Sequence, residues 1–224
     1  MPPTLSKIDT FLSKKRIKGE IIVIDDGSTD QTARRAKESK TKTPLRIIRR
    51  RRNRGKGKAV CSGILAAKGD WILFTDADLS TPIEELETFL KKEKANDILI
   101  ASRNLPRSQI KIQQAFPRNL LGKGFAKMTS LILGLDIKDT QCGFKLMRRR
   151  HALQIVKKMR LSGWAFDAEL LYLAKKDGLR IAELPVIWNN SAQSKVNAFT
   201  APMQMFRDIL LIRYNDIRGK YGKK

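Results

Sequence analysis

Short apolar runs, rich in β-branched residues, recur along the first half of the chain, and most of them close on an acid or a turn residue. Glu20 to Ile24 runs into Asp25-Asp26-Gly27-Ser28, Leu45 to Ile48 into arginines, Trp71 to Thr75 into Asp76, and Asp97 to Ala101 into Ser102. Runs this short and this apolar predict buried strands. Helix signals lie between them. Ser28 or Thr29 can cap a polar helix, a helix is expected over Lys58 to Ala67, and Pro82 opens another with Glu84 and Glu85 in its first turn, where the macrodipole favours acids.

Strands alternating with helices predict an α/β, Rossmann-like fold: a mostly parallel central sheet with right-handed crossovers, flanked by helices. Ligands of such sheets bind beyond the carboxyl ends of the strands, and Asp25, Asp26, Asp76 and Asp78 all fall there. Past Ser102 the pattern loosens. Helices are expected over Asn119 to Leu133 and Phe166 to Lys175, and one or two strands over Leu179 to Trp188, broken at Pro185. From Ala201 to Asn215, Met205, Ile209 and Ile212 recur at helical spacing, which favours a helix packed on its own domain over one lying on a membrane.

Length and composition change this picture little: 224 residues at 42% hydrophobic content suit one domain, residues 1–224, ending in a Lys-rich tail. Charge changes it more. With 46 Lys and Arg against 22 Asp and Glu, the formal net charge is +24, which suits nucleic acid, an anionic membrane surface or phosphorylated small molecules. No apolar leader segment and no apolar stretch of about 20 residues is present, so membrane contact is expected to be peripheral. Cys61 and Cys142 match no metal or redox spacing and read as reduced thiols; a lone His151 argues against Ser-His or Cys-His chemistry.

Three constellations carry chemistry. Asp76-Ala77-Asp78 sets two carboxylates at i and i+2 where a strand gives way to a loop, a spacing at which both can approach one Mg²⁺ or Mn²⁺ that bridges a diphosphate. Asp25-Asp26-Gly27-Ser28-Thr29-Asp30 can accept hydrogen bonds from a nucleobase or ribose, or serve as a turn and cap. A basic segment from Arg46 to Lys58 ends in Gly55-Lys56-Gly57-Lys58, a loop that leads into a helix N-terminus able to attract phosphate. It is not a Walker loop. Nucleic acid is not expected as its partner, because no aromatics interleave with the arginines.

In order and spacing these stretches resemble the family-2 glycosyltransferases, and within them the dolichyl- or polyprenyl-phosphate sugar synthases. The resemblance rests on Ile24 to Asp30, Asn53-Arg54-Gly55-Lys56-Gly57, Thr75 to Asp78, Ala101-Ser102-Arg103, Asp139-Thr140-Gln141-Cys142-Gly143-Phe144-Lys145, Trp164 to Leu171 and Ser194-Lys195. It implies a GT-A fold and hexose transfer from a nucleotide sugar, UDP-glucose or, as the alternative, GDP-mannose, to a polyprenyl phosphate at the cytoplasmic membrane face. A basic nucleic-acid-binding protein, motivated by charge alone, and an inactive membrane-associated scaffold are the alternatives from other classes. By that resemblance Asp25, Asp26, Lys56 and Asp76 contact the nucleotide. Asp76 and Asp78 hold Mg²⁺ or Mn²⁺ and, with Asp139, form the catalytic set. Arg103, Arg118, Lys145 and Lys195 bind acceptor phosphate.

Asp167 and Glu169 either orient those cations or serve structure, while Trp164 and Phe166 read as core. The family's first strand has no counterpart before Met1-Pro2-Pro3-Thr4-Leu5, which resembles the helix that follows it. The expectation is a chain begun one strand late, with neighbouring strands left unpaired. Ser80 stands where mannosyl relatives carry glutamine.

Overall fold

The computed structural model describes residues 1–111, 116–189 and 200–222; for residues 116–123, 125 and 200–202 it describes the backbone alone. In chain order the elements are α1 (Pro2–Lys15), β1 (Ile21–Asp25), α2 (Thr32–Lys37), β2 (Leu45–Arg49), α3 (Lys56–Ala66) and β3 (Trp71–Thr75). After a 3-10 turn (Ile83–Glu85) come α4 (Leu86–Leu90), β4 (Ile98–Ser102), β5 (Gln109–Ile110), α5 (Phe116–Leu133), β6 (Phe144–Arg148) and α6 (Arg149–Lys158). The chain continues through α7 (Phe166–Lys176), β7 (Ile181–Pro185), β8 (Ile187–Trp188) and α8 (Thr200–Ile217).

The expected α/β architecture is present. β1 and β2 pair in parallel, and a four-stranded sheet runs in the order β3-β6-β4-β7. In that sheet β4 and β7 are parallel, and only β6 is reversed, antiparallel to both its neighbours. β5 and β8 form a small parallel pair. Among the described residues β1 pairs only with β2, and β3 only with β6.

Successive side chains of a strand leave opposite faces, and the core divides accordingly. Ile72, Ile98, Ile100 and Met147 pack with α3, α6, α7 and α8; Leu99, Ala101, Phe144 and Leu146 pack with α1 and α4 on the other face. Phe89 and Phe144 meet edge to face, with centroids 5.1 Å apart, the arrangement that the ring quadrupoles favour.

Two features depart from expectation. β6 has no strand signal, since Lys, Leu, Met and Arg favour helices; burial between β3 and β4 overrides that preference. α2 starts at Thr32, later than a cap at Ser28 or Thr29 would place it. The Ser28 N–H turns back to Asp25 (2.9 Å), and Asp30 accepts from the Thr32 N–H instead.

Candidate active site

The strand ends converge on Asp76. Thr75 lies opposite Phe144 in the β3–β6 ladder, and the Asp76 N–H donates to the Gly143 carbonyl at 3.0 Å. A β-carbon on Gly143 would sit 1.9 Å from Asp76 Oδ2. Residue 143 is therefore glycine because the Asp76 carboxylate occupies the space of its side chain. Two residues on, Asp78 Oδ1 accepts from the Ser80 N–H at 3.0 Å, and Leu79 between them takes the left-handed conformation (φ 49°), bending the loop sharply.

The basic loop meets this strand end from the other side. The Asp26 carboxylate accepts from the N–H groups of Arg54 (3.1 Å) and Gly55 (2.9 Å) and pairs with Arg50 at 3.2 Å. The Gly57 N–H donates to the Ser162 carbonyl at 2.9 Å. β-Carbons would lie 2.3 Å from Ser162 O at Gly55 and 2.6 Å from Phe166 Cβ at Gly57, so both glycines are steric necessities.

So held, Lys56 opens α3 with its ammonium 2.7 Å from Asp76 Oδ1 and 5.5 Å from the ring centroids of both Phe74 and Trp164. Burial opposes its charge, but Asp76 and Asp167 outweigh that cost and raise its pKa above the ordinary lysine value. Trp164 was expected in the core. It is 36% exposed and roofs Lys56, whereas Phe166 is fully buried as expected.

Asp25 is buried; Oδ1 caps the Ser28 N–H, and Oδ2, 3.3 Å from Arg49 Nε, makes no hydrogen bond. Asp25 at the end of β1 and Asp26 just beyond it thus shape their loops, and Asp25 keeps one oxygen paired with Arg49 but not hydrogen-bonded. Asp139 is also buried, and its carboxylate grips Arg103 with two prongs (Nε 2.7 Å, Nη2 2.9 Å) and accepts from the Arg103 N–H. Burial works to raise the Asp139 pKa, and the Arg103 guanidinium overrides it, so the carboxyl stays below its ordinary range. The structure thus makes Asp139 the anchor of Arg103, not a free carboxylate. Arg103, stacked 5.3 Å from the Trp188 ring centroid, keeps 26% of its side chain exposed.

Lys145 departs from its expected role as a phosphate binder. Its side chain is fully buried, and its ammonium donates to Asp167 Oδ1 (2.5 Å) and to the Cys142 carbonyl (2.6 Å). Burial pushes the Asp167 carboxyl up, against the pull of Lys145 and Lys56. Glu169, two residues further along α7, accepts from the N–H groups of Arg160 and Leu161 and from the Tyr221 hydroxyl. Asp167 and Glu169 therefore serve structure: one neutralises Lys145, and the other fixes the loop that carries Ser162 and Trp164. The side chain of Arg118 and all of Lys195 lie outside the described residues.

Sequence reasoning missed Glu183, whose carboxylate accepts from the N–H groups of Lys138 (2.8 Å) and Asp139 (3.0 Å) and so sets the loop that holds Arg103. Its signal was an acid inside the otherwise apolar β7. Ser162 acts through its carbonyl and left no signal.

The Asp76-Asp78 pair suits Mg²⁺ or Mn²⁺, hard ions that accept one or two carboxylates and take their remaining ligands from phosphate and water. The Lys56 ammonium beside Asp76 already stands where positive charge is wanted. No group of three metal-binding side chains occurs among the described residues.

Carboxylates at strand ends, a basic loop leading into a helix N-terminus and a GT-A-like sheet define an enzyme: a glycosyltransferase that draws on a nucleotide sugar. Residues 7–155 match the family described as glycosyl transferase family 2, and the chain belongs to it.

The chain is 38% identical to a dolichyl-phosphate beta-glucosyltransferase of Dictyostelium discoideum, over 98% of this chain and 71% of that one. To the enzyme of the same name from Homo sapiens it is 34% identical, over 99% and 73%. Among solved structures, mannosyl-3-phosphoglycerate synthase from Rubrobacter xylanophilus superposes with a TM-score of 0.68 at 16% identity, covering 98% of this chain and 70% of that one. Glucosyl-3-phosphoglycerate synthase from Mycobacterium tuberculosis, in complex with Mn²⁺ and UDP-glucose, gives 0.63 at 20%, covering 94% and 75%. At such identities the structural likeness bears on fold alone.

Proposed function

We propose that this chain transfers glucose from UDP-glucose to a dolichyl or other polyprenyl phosphate at the cytoplasmic face of a membrane. The observation that carries this reading is the meeting of Asp76, Asp78 and Lys56 at the end of β3, with Arg103 held by Asp139 on the neighbouring loop. The names of the Dictyostelium and human relatives support the choice of sugar and acceptor.

In this reading the loop after β1 faces the nucleotide, and Asp25 Oδ2, which pairs with Arg49 but makes no hydrogen bond, accepts from the base once the arginine swings aside. Lys56 meets the diphosphate. Asp76 and Asp78 hold Mg²⁺ or Mn²⁺, which when bound neutralises charge on the departing UDP. Arg103 draws in the acceptor phosphate, and Arg118 and Lys195 remain candidates for the same task.

A lipid phosphate is already anionic near neutral pH, so its oxygen attacks the anomeric carbon without a general base. The new bond joins that oxygen to the sugar, and the bond to the β-phosphate oxygen breaks, UDP leaving with the electron pair. The protein's work is to place two anionic substrates together and to stabilise the leaving diphosphate.

The test is transfer to a short polyprenyl phosphate, with Mg²⁺ or Mn²⁺, from UDP-glucose and in parallel from GDP-mannose. Transfer from UDP-glucose alone is the expected result. Transfer from GDP-mannose alone overturns the sugar, and transfer from neither overturns the reading.

A further inference from the structure

α8 has two apolar faces, and among the described residues the fold covers only one of them. Met205, Ile209 and Ile212 are buried against the domain. On the opposite side Met203, Phe206, Leu210, Tyr214 and Ile217 recur every three or four residues, the spacing of one helical stripe, and all five are exposed, Met203 by 72% and Ile217 by 77%. Exposed apolar residues scattered singly need no explanation, but a continuous stripe does.

Charge around the stripe is sorted. At about 100° per residue, Arg207 and Arg218 lie along one border of the stripe and Arg213 along the other. The helix's two acids, Asp208 and Asp216, turn inward: Asp216 pairs with Lys176 and Tyr172, and Asp208 lies against Gly163. Arg218 and Lys220 lie over the Tyr214 ring, each 5.5 Å from its centroid. An apolar stripe edged by arginines, with a tyrosine on it and no acid facing out, has the form of a helix lying in a membrane interface. α5, which packs on α8, adds Lys127 and Leu131 one turn apart, the leucine 75% exposed.

We propose that the outward face of α8 docks this enzyme on an anionic lipid bilayer, with Phe206, Leu210 and Ile217 entering the interface and Arg207 and Arg218 meeting lipid headgroups. Charge complementarity selects this occupant: the chain carries a net charge of +24, and the charged residues along the borders of the stripe are all cations. The inner face of the same helix touches the loops of the candidate site, Gln141 reaching Met205 and Gly163 facing Asp208. Docking through α8 thereby brings those loops to the surface from which a lipid phosphate arrives, and in this respect the proposal rests on the acceptor class proposed above.

The test is co-sedimentation of the full chain with phosphatidylcholine vesicles, with and without phosphatidylserine, alongside calorimetric binding of UDP. The unaltered chain is expected to favour the anionic vesicles. Replacing Phe206, Leu210 and Ile217 together by serine lowers vesicle affinity by about a thousandfold, tenfold per side chain withdrawn. Arg207→Ala with Arg218→Ala costs about fivefold each on anionic vesicles and little on neutral ones.

UDP affinity stays unchanged in both variants, which separates lost docking from a misfolded site. Vesicle binding that the triple serine variant leaves intact overturns the proposal. So does light scattering that finds a dimer in the unaltered chain and a monomer in the variant, because the stripe then covers a second copy. Failure of UDP to bind any form counts against the donor reading and leaves the vesicle result to stand by itself.

Discussion

The Lys56 ammonium lies 2.7 Å from Oδ1 of Asp76, joining the basic loop to the acidic strand end across twenty residues of sequence. One carboxylate thus faces two claims, a permanent one from lysine and a transient one from a divalent ion. Replacing Lys56 by methionine should free Asp76 for the ion. Mn²⁺ affinity measured by electron paramagnetic resonance without nucleotide is expected to rise, while kcat/KM for transfer falls by about two orders of magnitude. Unchanged Mn²⁺ affinity would mean that lysine and metal do not share the carboxylate.

Asp78 is exposed and holds only a local turn. Asp78→Ala is expected to lower transfer by about a thousandfold and to leave the melting temperature within about 2 °C. Turnover at the original rate would remove Asp78 from the metal site.

Gly143→Ala tests the packing of the site. The added methyl needs the space that Asp76 Oδ2 fills, so the carboxylate must swing away. Transfer is expected to fall nearly as far as in Asp76→Ala. Full activity in Gly143→Ala would show that Asp76 works equally well elsewhere.

Lys145 and Asp167 form a buried pair. Lys145→Met strands a carboxylate in the core and is expected to cost about 3–5 kcal/mol in urea unfolding. Replacing both, Lys145→Met with Asp167→Leu, should restore most of that stability. A single variant as stable as the parent would show that water reaches Asp167.

Acid stability follows from Asp139. Its pKa is depressed in the folded chain: burial opposes ionisation, and the Arg103 guanidinium overrides it. A depressed carboxyl contributes stability above its unfolded value, about 3.9, and loses that contribution as pH falls through the folded value. Unfolding free energy should therefore decline from about pH 4 downward. Asp139→Asn should flatten that decline and cost about 3 kcal/mol at neutral pH; the low end of the buried-pair range applies because Arg103 keeps 26% of its side chain exposed.

The sequence by itself determined the first four strands, of which β1 and β3 run into acids. All four are short runs in which apolar residues dominate, and the change to polar or charged residues at their ends marks where they stop. It also determined that Asp76 and Asp78 would stand at a strand end, because the change from apolar to acidic residues marks where burial stops. Tertiary structure decided what local preference could not. Lys145 reads as a surface cation until the reversed β6 is threaded between β3 and β4 and Asp167 is brought beneath it. Asp139 reads as a free carboxylate until Arg103, thirty-six residues away in sequence, closes on it. Lys56 meets Asp76 only because Ser162 and Phe166 press on the two glycines beside it. Such pairings are long-range contacts between polar groups, and polar groups carry no periodicity from which a partner can be read. Burial makes each unpaired charge costly, and the fold alone settles which neighbour relieves it.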